Sequence, residues 1–451
     1  MFNRNSCKKM LAAFLAGMML VSASACQAPK DQNSSKSETT KGKLIEVTIP
    51  SYKSGENAGA VFFLPQVERF NKKYEGKYKL NIEECPQASY GEKLKQLAQQ
   101  KKLPVIMHGT GSGEVDTQWF NNVAVKNNMC YDLSAWLEKN PQIKKLCIDK
   151  SLKYNTTADG KVVAMPLMVT RPKSIFYNSA LYTPEKPIST MTMDEFVNNL
   201  GEKKIALQTA DNGWCTGLLW TALIANEQGG LELLDNSVES MLRDFTAEPI
   251  VKATKTLQNI MMKNASSNTV GAAYADAANN FMSNKSQFIM NGTWMATDFN
   301  SKSSNKWSNG FDGSKVRADL FPGNIGLVTV QVHGDWISNT ATAEEKELAL
   351  AYFEFVYSQA ELEAYMLSDG GTAPNMVYSE EFKKKQKETA VLSDLSNASN
   401  EKTRYAPVIL DIMPTSVAEA EFGKLLPKLA NGTLTPEQFC EQMTQKAKAA
   451  K

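Results

Sequence analysis

Seven tryptophans and two histidines set the chemistry open to this 451-residue chain. His108 and His333 stand 225 positions apart, and no H-E-x-x-H, G-x-S-x-G or Walker-type segment occurs. The spacing of His108, Glu114 and Asp116 matches no metal site, and the seven cysteines contain no C-x-x-C pair. Gly109-Thr110-Gly111-Ser112-Gly113 lacks the lysine of a phosphate-binding loop and reads as a flexible turn. No catalytic residue, metal or cofactor is therefore expected. A carboxylate pair for glycoside hydrolysis stays open, because any Asp and Glu can converge in a fold.

An indole offers a flat apolar face and one N–H. Trp294 follows the strand-like run Gln287–Met290 and the turn residues Asn291-Gly292, so it stands at a strand end. Trp336 follows Gly334-Asp335 at the start of a strand, and Trp214 follows Asp211-Asn212-Gly213 where a loop enters a helix. Such plates suit the C–H faces of a sugar, while planar carboxylates, amides and a guanidinium suit its hydroxyls. Trp220, among Leu218, Leu219, Leu223 and Ile224, reads as core, and Trp136 as structural. Trp307 in its Ser/Asn-rich loop reads as surface; Trp119 and Phe120 could serve a loop site or packing.

The elements that carry these residues alternate. Leu44–Ile49 has the period of a strand, and 58–74 carries Phe63, Val67, Phe70 and Tyr74 at helical spacing. Strands are expected at 78–82 and 105–107, with a helix between them opened by a capping box at Ser89-x-x-Glu92. The pattern resumes with strands at 175–177, 205–207 and 287–290 and helices at 193–200, 214–226, 248–263 and 274–282. Helices also fit 344–357 and 360–367, and several more close the chain after Pro414. Strand and helix in alternation indicate an α/β fold with parallel strands, and about 400 residues suffice for two lobes.

The N-terminus sets the compartment. Arg4, Lys8 and Lys9 precede an apolar run from Met10 to Val21, then Ser22-Ala23-Ser24-Ala25 and Cys26. That order is a secretory signal, 1–25, and the cysteine after small residues resembles the lipobox of bacterial lipoproteins, which implies an acylated Cys26. Residues 26–43 have no bulky apolar side chain and read as a flexible tether. Net charge is +2, or −1 without 1–25, which gives no footprint for nucleic acid. The five remaining cysteines read as isolated thiols, with a Cys130/Cys147 pair the alternative.

Several segments in order resemble the family of bacterial extracellular solute-binding proteins that includes the maltose-binding protein. Asp159-Gly160-Lys161-Val162-Val163-Ala164-Met165-Pro166 is followed by Tyr177-Asn178-Ser179-Ala180-Leu181; Phe281–Trp294 contains Met290-Asn291-Gly292-Thr293-Trp294. Asp335–Asn339 precedes the helix at 345–357, and Gly432-Thr433-Leu434-Thr435-Pro436-Glu437 closes the series. The resemblance implies a two-lobed periplasmic-binding-type fold (type II) hinged by crossing strands, with 44–168 and 296–343 in one lobe and 169–295 and 344–451 in the other. It implies a monomeric, non-enzymatic substrate-binding component of an ABC importer. Such a component, lipid-anchored on the outer face of the membrane, captures a neutral carbohydrate and delivers it to permease subunits. A glycan-active enzyme or a binder of a non-sugar solute is the alternative. Arg171 would then lie in a crossing segment, Glu56 and Asn57 in the first strand–helix loop, and His108 and Thr110 beyond the third strand. Arg171, Glu56, Asn57 and His108, with Trp294, Trp336, Trp214 and Asp335, form the expected ligand site.

Overall fold

The computed structural model describes residues 43–450 except Glu56, Ala58, 111–114 and Glu401; the signal, Cys26 and nearly all of the tether lie outside the described residues. The chain enters on β1 (Ile45–Ser51), which buries Val47 and Ile49, crosses by the helix Ala60–Lys73, and returns as β2 (Tyr78–Glu84). β1 and β2 are parallel, from Ile45 opposite Tyr78 to Ser51 opposite Glu84. Phe63, Val67 and Phe70 recur at helical spacing because that face covers the strand pair. The helix Gln87–Gln99 begins two residues before Ser89, with Pro86 at its cap, so the expected capping box does not form. Ser89 Oγ instead donates to the Pro86 carbonyl at 3.1 Å.

A short β3 (Ile106–Met107) completes this part, and a segment of crossing chain leads to β4 (Lys173–Asn178). Then follow β5 (Ile205–Ala206), β6 (Phe288–Gly292), β7 (Val316–Asp319) and β8 (Ile325–Leu327). β9 (Trp336–Ile337) returns to pair antiparallel with β3, and β10 (Arg404–Ala406) joins β8. The larger sheet has the order β10-β8-β4-β6-β5, with β7 also on β4. β4 runs against all its neighbours, so the sheet is mixed and not wholly parallel as expected.

The packing defines two lobes. Val47, Phe70, Leu80, Ile106, Met165, Ile337, Leu348, Phe353 and Met366 share one core. Ile175, Leu207, Trp220, Leu257, Phe288, Leu327, Leu410 and Phe439 share the other. The sequence places 296–343 with the first lobe and 344 onward with the second; the cores divide differently. β7 and β8 hydrogen-bond to β4 in the second lobe, while the helices Ala343–Val356 and Gln359–Asp369 put Tyr352, Phe353 and Met366 on the first. Apolar spacing shows that a helix face is buried, not against which sheet. The chain therefore passes between lobes near 169–172, 328–333 and 383–390, and Thr170 and Thr372 exchange backbone hydrogen bonds at 2.8 Å beside the first passage.

Candidate ligand cleft

The carboxyl ends of β5, β6, β8 and β10 lie with the amino end of β4 on one edge of the larger sheet. In the first lobe the end of β1 meets the end of β3, where Ser51 Oγ lies 2.8 Å from His108 Nε2, and β9 begins beside them. Loops at strand ends are free of the ladder and carry side chains outward, which makes such edges the usual place for ligands. The edge of the larger sheet meets the first lobe through Arg171 of the crossing segment and the end of the helix Gln359–Asp369.

Trp294 is the second residue after β6, and Trp214 opens the helix Trp214–Asn226 after β5. The turn into that helix needs Gly213, which has φ 61° and no room for a Cβ against Leu426 and Phe422. Both indoles are half-buried, with ring centres 5.2 Å apart and planes at 45°. The Arg171 guanidinium lies 5.3 Å from the Trp294 ring centre and 5.6 Å from that of Tyr365, on the first lobe. Its Nη1 is 3.8 Å from Asp369 Oδ2. Thr293 Oγ1 donates to the Asp369 carbonyl at 2.6 Å, which ties the loop after β6 to the end of the helix Gln359–Asp369. The structure thus brings Trp214, Trp294 and Arg171 together and adds Tyr365 and Asp369. It also adds Tyr274, whose hydroxyl accepts from Asn291 Nδ2 at 3.1 Å.

On the first lobe Asp335 precedes β9 with a quarter of its side chain exposed, and His108 is buried behind it with Nδ1 3.5 Å from Asp335 Oδ1. Burial, with Lys53 second, holds the His108 imidazole below its ordinary 6.5, so it is neutral at pH 7. Burial works to raise the Asp335 carboxyl, but His108, Lys53 and the Gly109 amide outweigh it and hold it below its ordinary value. Asp369 is raised by burial, partly offset by Arg171. Burial pushes Tyr365 up to about 12, leaving a neutral hydroxyl that can donate as well as accept.

Other expected residues fall elsewhere. Trp336 is fully buried with its ring edge-on to Phe120 at 5.3 Å, a core side chain and no plate for a ligand. Asn57 is used locally: Nδ2 donates to Gln87 at 3.0 Å and Oδ1 accepts the Gly59 N–H at 2.9 Å. Glu56 lies outside the described residues. Thr110 is buried and bonds the backbone of His333. Trp220 is core as expected, stacked on Phe422 at 5.3 Å, and Trp136 packs on Phe353. Trp307 is half-buried, its N–H on the Asp298 carbonyl at 2.8 Å, and not a surface residue. Phe120 is buried on His333; Trp119 packs against the same small core. The five described cysteines are free and buried, so Cys130 and Cys147 do not pair.

Two lobes with separate cores, joined by crossing segments with an aromatic cluster beside them, are the architecture of a two-lobed solute-binding protein. The same conclusion comes from comparison. The chain belongs to the bacterial extracellular solute-binding protein family, whose profile matches residues 66–391. No curated protein matches by sequence. Solved structures with the same fold include a chitin oligosaccharide binding protein, 16% identical, covering 91% of this chain and 99% of its own, with a TM-score of 0.69. A Streptococcus pneumoniae solute-binding protein in complex with the blood group A-trisaccharide is 17% identical over 90% of this chain and 100% of its own, at 0.64. The solute-binding protein RafE in complex with raffinose is 18% identical over 89% and 98%, also at 0.64. No described helix is long and apolar enough to cross a membrane.

Proposed function

We propose that this protein captures a neutral oligosaccharide between its lobes and delivers it to the permease of an ABC importer. The observation that carries this reading is the pair of tilted, half-exposed indoles Trp214 and Trp294, 5.2 Å apart, beside Arg171, Asp369 and Tyr365. Two plates at an angle suit successive rings of a bent chain, and the guanidinium and carboxylates suit vicinal hydroxyls. Two of the like structures are, by their names, complexes with the blood group A-trisaccharide and with raffinose, which supports the same ligand class here. Closure over the sugar would shift the open–closed population, and the permease would read the closed form.

The protein makes and breaks no bond in this reading. It acts as a monomer, held on the outer face of the membrane by an acylated Cys26 and the tether after it. Calorimetric titration with raffinose, maltotriose, triacetylchitotriose and xylotriose tests the ligand class; no heat with any of them refutes it. Unchanged sugar after prolonged incubation separates a binder from a hydrolase. Cys26→Ser should move the expressed protein from the detergent phase to the aqueous phase on detergent partition, and a variant that stays in the detergent phase rejects the anchor.

A further inference from the structure

The residues Ser51, His108 and Asp335 reproduce the order of a charge relay at the wall of the cleft. Ser51 Oγ is 2.8 Å from His108 Nε2, and His108 Nδ1 is 3.5 Å from Asp335 Oδ1. A nucleophilic serine must reach its substrate, and this one is fully buried at the end of β1, with its Oγ also accepting the Lys53 N–H at 3.1 Å. The solvent-facing member is the other end of the chain: the Asp335 side chain is 25% exposed and that of His108 is 3%. The relay therefore points outward, toward the carboxylate.

Its direction follows from what each atom can do. Asp335, ionised, only accepts, so the proton of the neutral imidazole belongs on Nδ1. Nε2 then accepts from the Ser51 hydroxyl, whose second lone pair takes the Lys53 amide. The imidazole cannot turn to choose otherwise. Tyr52, Phe63 and Tyr90 enclose it with ring centres 5.2, 5.4 and 5.6 Å away, and its backbone N–H donates to the Tyr90 hydroxyl at 2.9 Å. Yet buried Nδ1 makes no hydrogen bond, because Asp335 stands just too far off. The donor is thus aimed at a carboxylate that keeps a quarter of its side chain in solvent, and a small shift of that carboxylate closes the bond. Asp335 stands just before β9, on the edge of the first lobe where β1 and β3 end, with its side chain reaching solvent there.

We propose that Asp335 accepts a hydrogen bond from a ligand hydroxyl, and that His108 is its positioning residue, its Nδ1–H taking up the carboxylate across the 3.5 Å gap as the ligand binds while Ser51 fixes the ring. The proposal rests on the sugar reading for its ligand and on the imidazole box for its geometry, and the two are separable. The probe is whichever of raffinose, maltotriose, triacetylchitotriose and xylotriose binds the wild-type protein best. Asp335→Asn should weaken it about 10- to 100-fold, the range of a hydrogen bond to a charged group. His108→Phe should cost about 10-fold, while His108→Gln, whose amide can donate to Asp335 and accept from Ser51, stays within about threefold. In the Asp335→Asn background His108→Phe should add less than about twofold, since it acts only through the carboxylate. A His108→Phe cost that is the same in both backgrounds, or Asp335→Asn within twofold of wild type, overturns the proposal. Nitrogen-15 spectra of the imidazoles need no sugar, and with two histidines only two rings report. A proton on Nε2 of His108 overturns the relay; a proton on Nδ1 with sugar binding intact supports it. If none of the four sugars binds, the sugar reading falls and the ligand half of the proposal with it.

Discussion

Gly292 offers the sharpest perturbation of the cleft, because it moves an indole without deleting it. Gly292 ends β6 with φ −95° and ψ 167°, extended backbone that alanine adopts without strain. The Trp294 ring folds back over it, and a Cβ at 292 would coincide with three indole carbons of Trp294. A backbone in a paired strand yields less readily than a side chain, and Gly292 is held opposite Lys173. In Gly292→Ala the indole must therefore leave its seat. Leaving forfeits the contact with Trp214 at 5.2 Å, worth about 0.5–1.5 kcal/mol, and the Arg171 guanidinium at 5.3 Å, worth about 0.5–1 kcal/mol at an exposed site. A displaced plate also fails the ligand, and a lost aromatic anchor costs about 1–3 kcal/mol of binding. The expected result is a Kd raised about 10- to 100-fold with a drop of a few degrees in melting temperature. Calorimetric titration with the best of the four sugars measures the first, and tryptophan emission should change in the free protein as the Trp214–Trp294 pair separates. Wild-type affinity together with wild-type emission would show that Trp294 is no wall of the site.

Trp336→Ala should act on the fold alone: the ring is fully buried against Phe120, so the cost is about 3–5 kcal/mol of stability, and the folded fraction should keep wild-type sugar affinity. A large affinity loss at unchanged stability would return Trp336 to the ligand. His333 supplies a pH dependence. Burial holds its imidazole at about 3 against an ordinary 6.5, so below 6.5 the unfolded chain takes up a proton that the folded chain refuses. The stability involved is complete above pH 6.5 and is lost as pH falls, by about 1.4 kcal/mol per unit until about pH 3. His333→Phe, still stacked between Phe120 at 4.2 Å and Tyr154 at 4.8 Å, should flatten the urea midpoint between pH 6 and 4; an unaltered slope would mean that His333 titrates normally.

How far the cleft could be read from the residues turns on Asp335 and Trp336. The alternation of strand and helix was enough to place both at an edge of the first lobe, and Trp294 and Trp214 were legible for the same reason, as aromatics at a strand end and a helix start. An edge, however, is reached by strands of either direction, and along a strand successive side chains point to opposite faces. β9 begins at Trp336, and its pairing of Met107 with Trp336 sends the indole into the core under Phe120. One residue earlier, Asp335 keeps a quarter of its side chain in solvent. Register decides which of the two reaches solvent, and register is fixed by a pairing partner 229 positions away that no local pattern reveals. Tyr365 and Asp369 were hidden differently. They stand four apart on one face of a helix whose spacing reads as ordinary packing, and only the docking of that helix end on Thr293 turns the face toward Arg171. Sequence therefore identifies residues that sit at the ends of elements, while those that join the candidate cleft from the side of an element become visible only once the lobes are assembled. The relay from Ser51 through His108 to Asp335 is the extreme case: three elements, no shared motif, and a direction of hydrogen bonding that follows from chemistry once the distances are known.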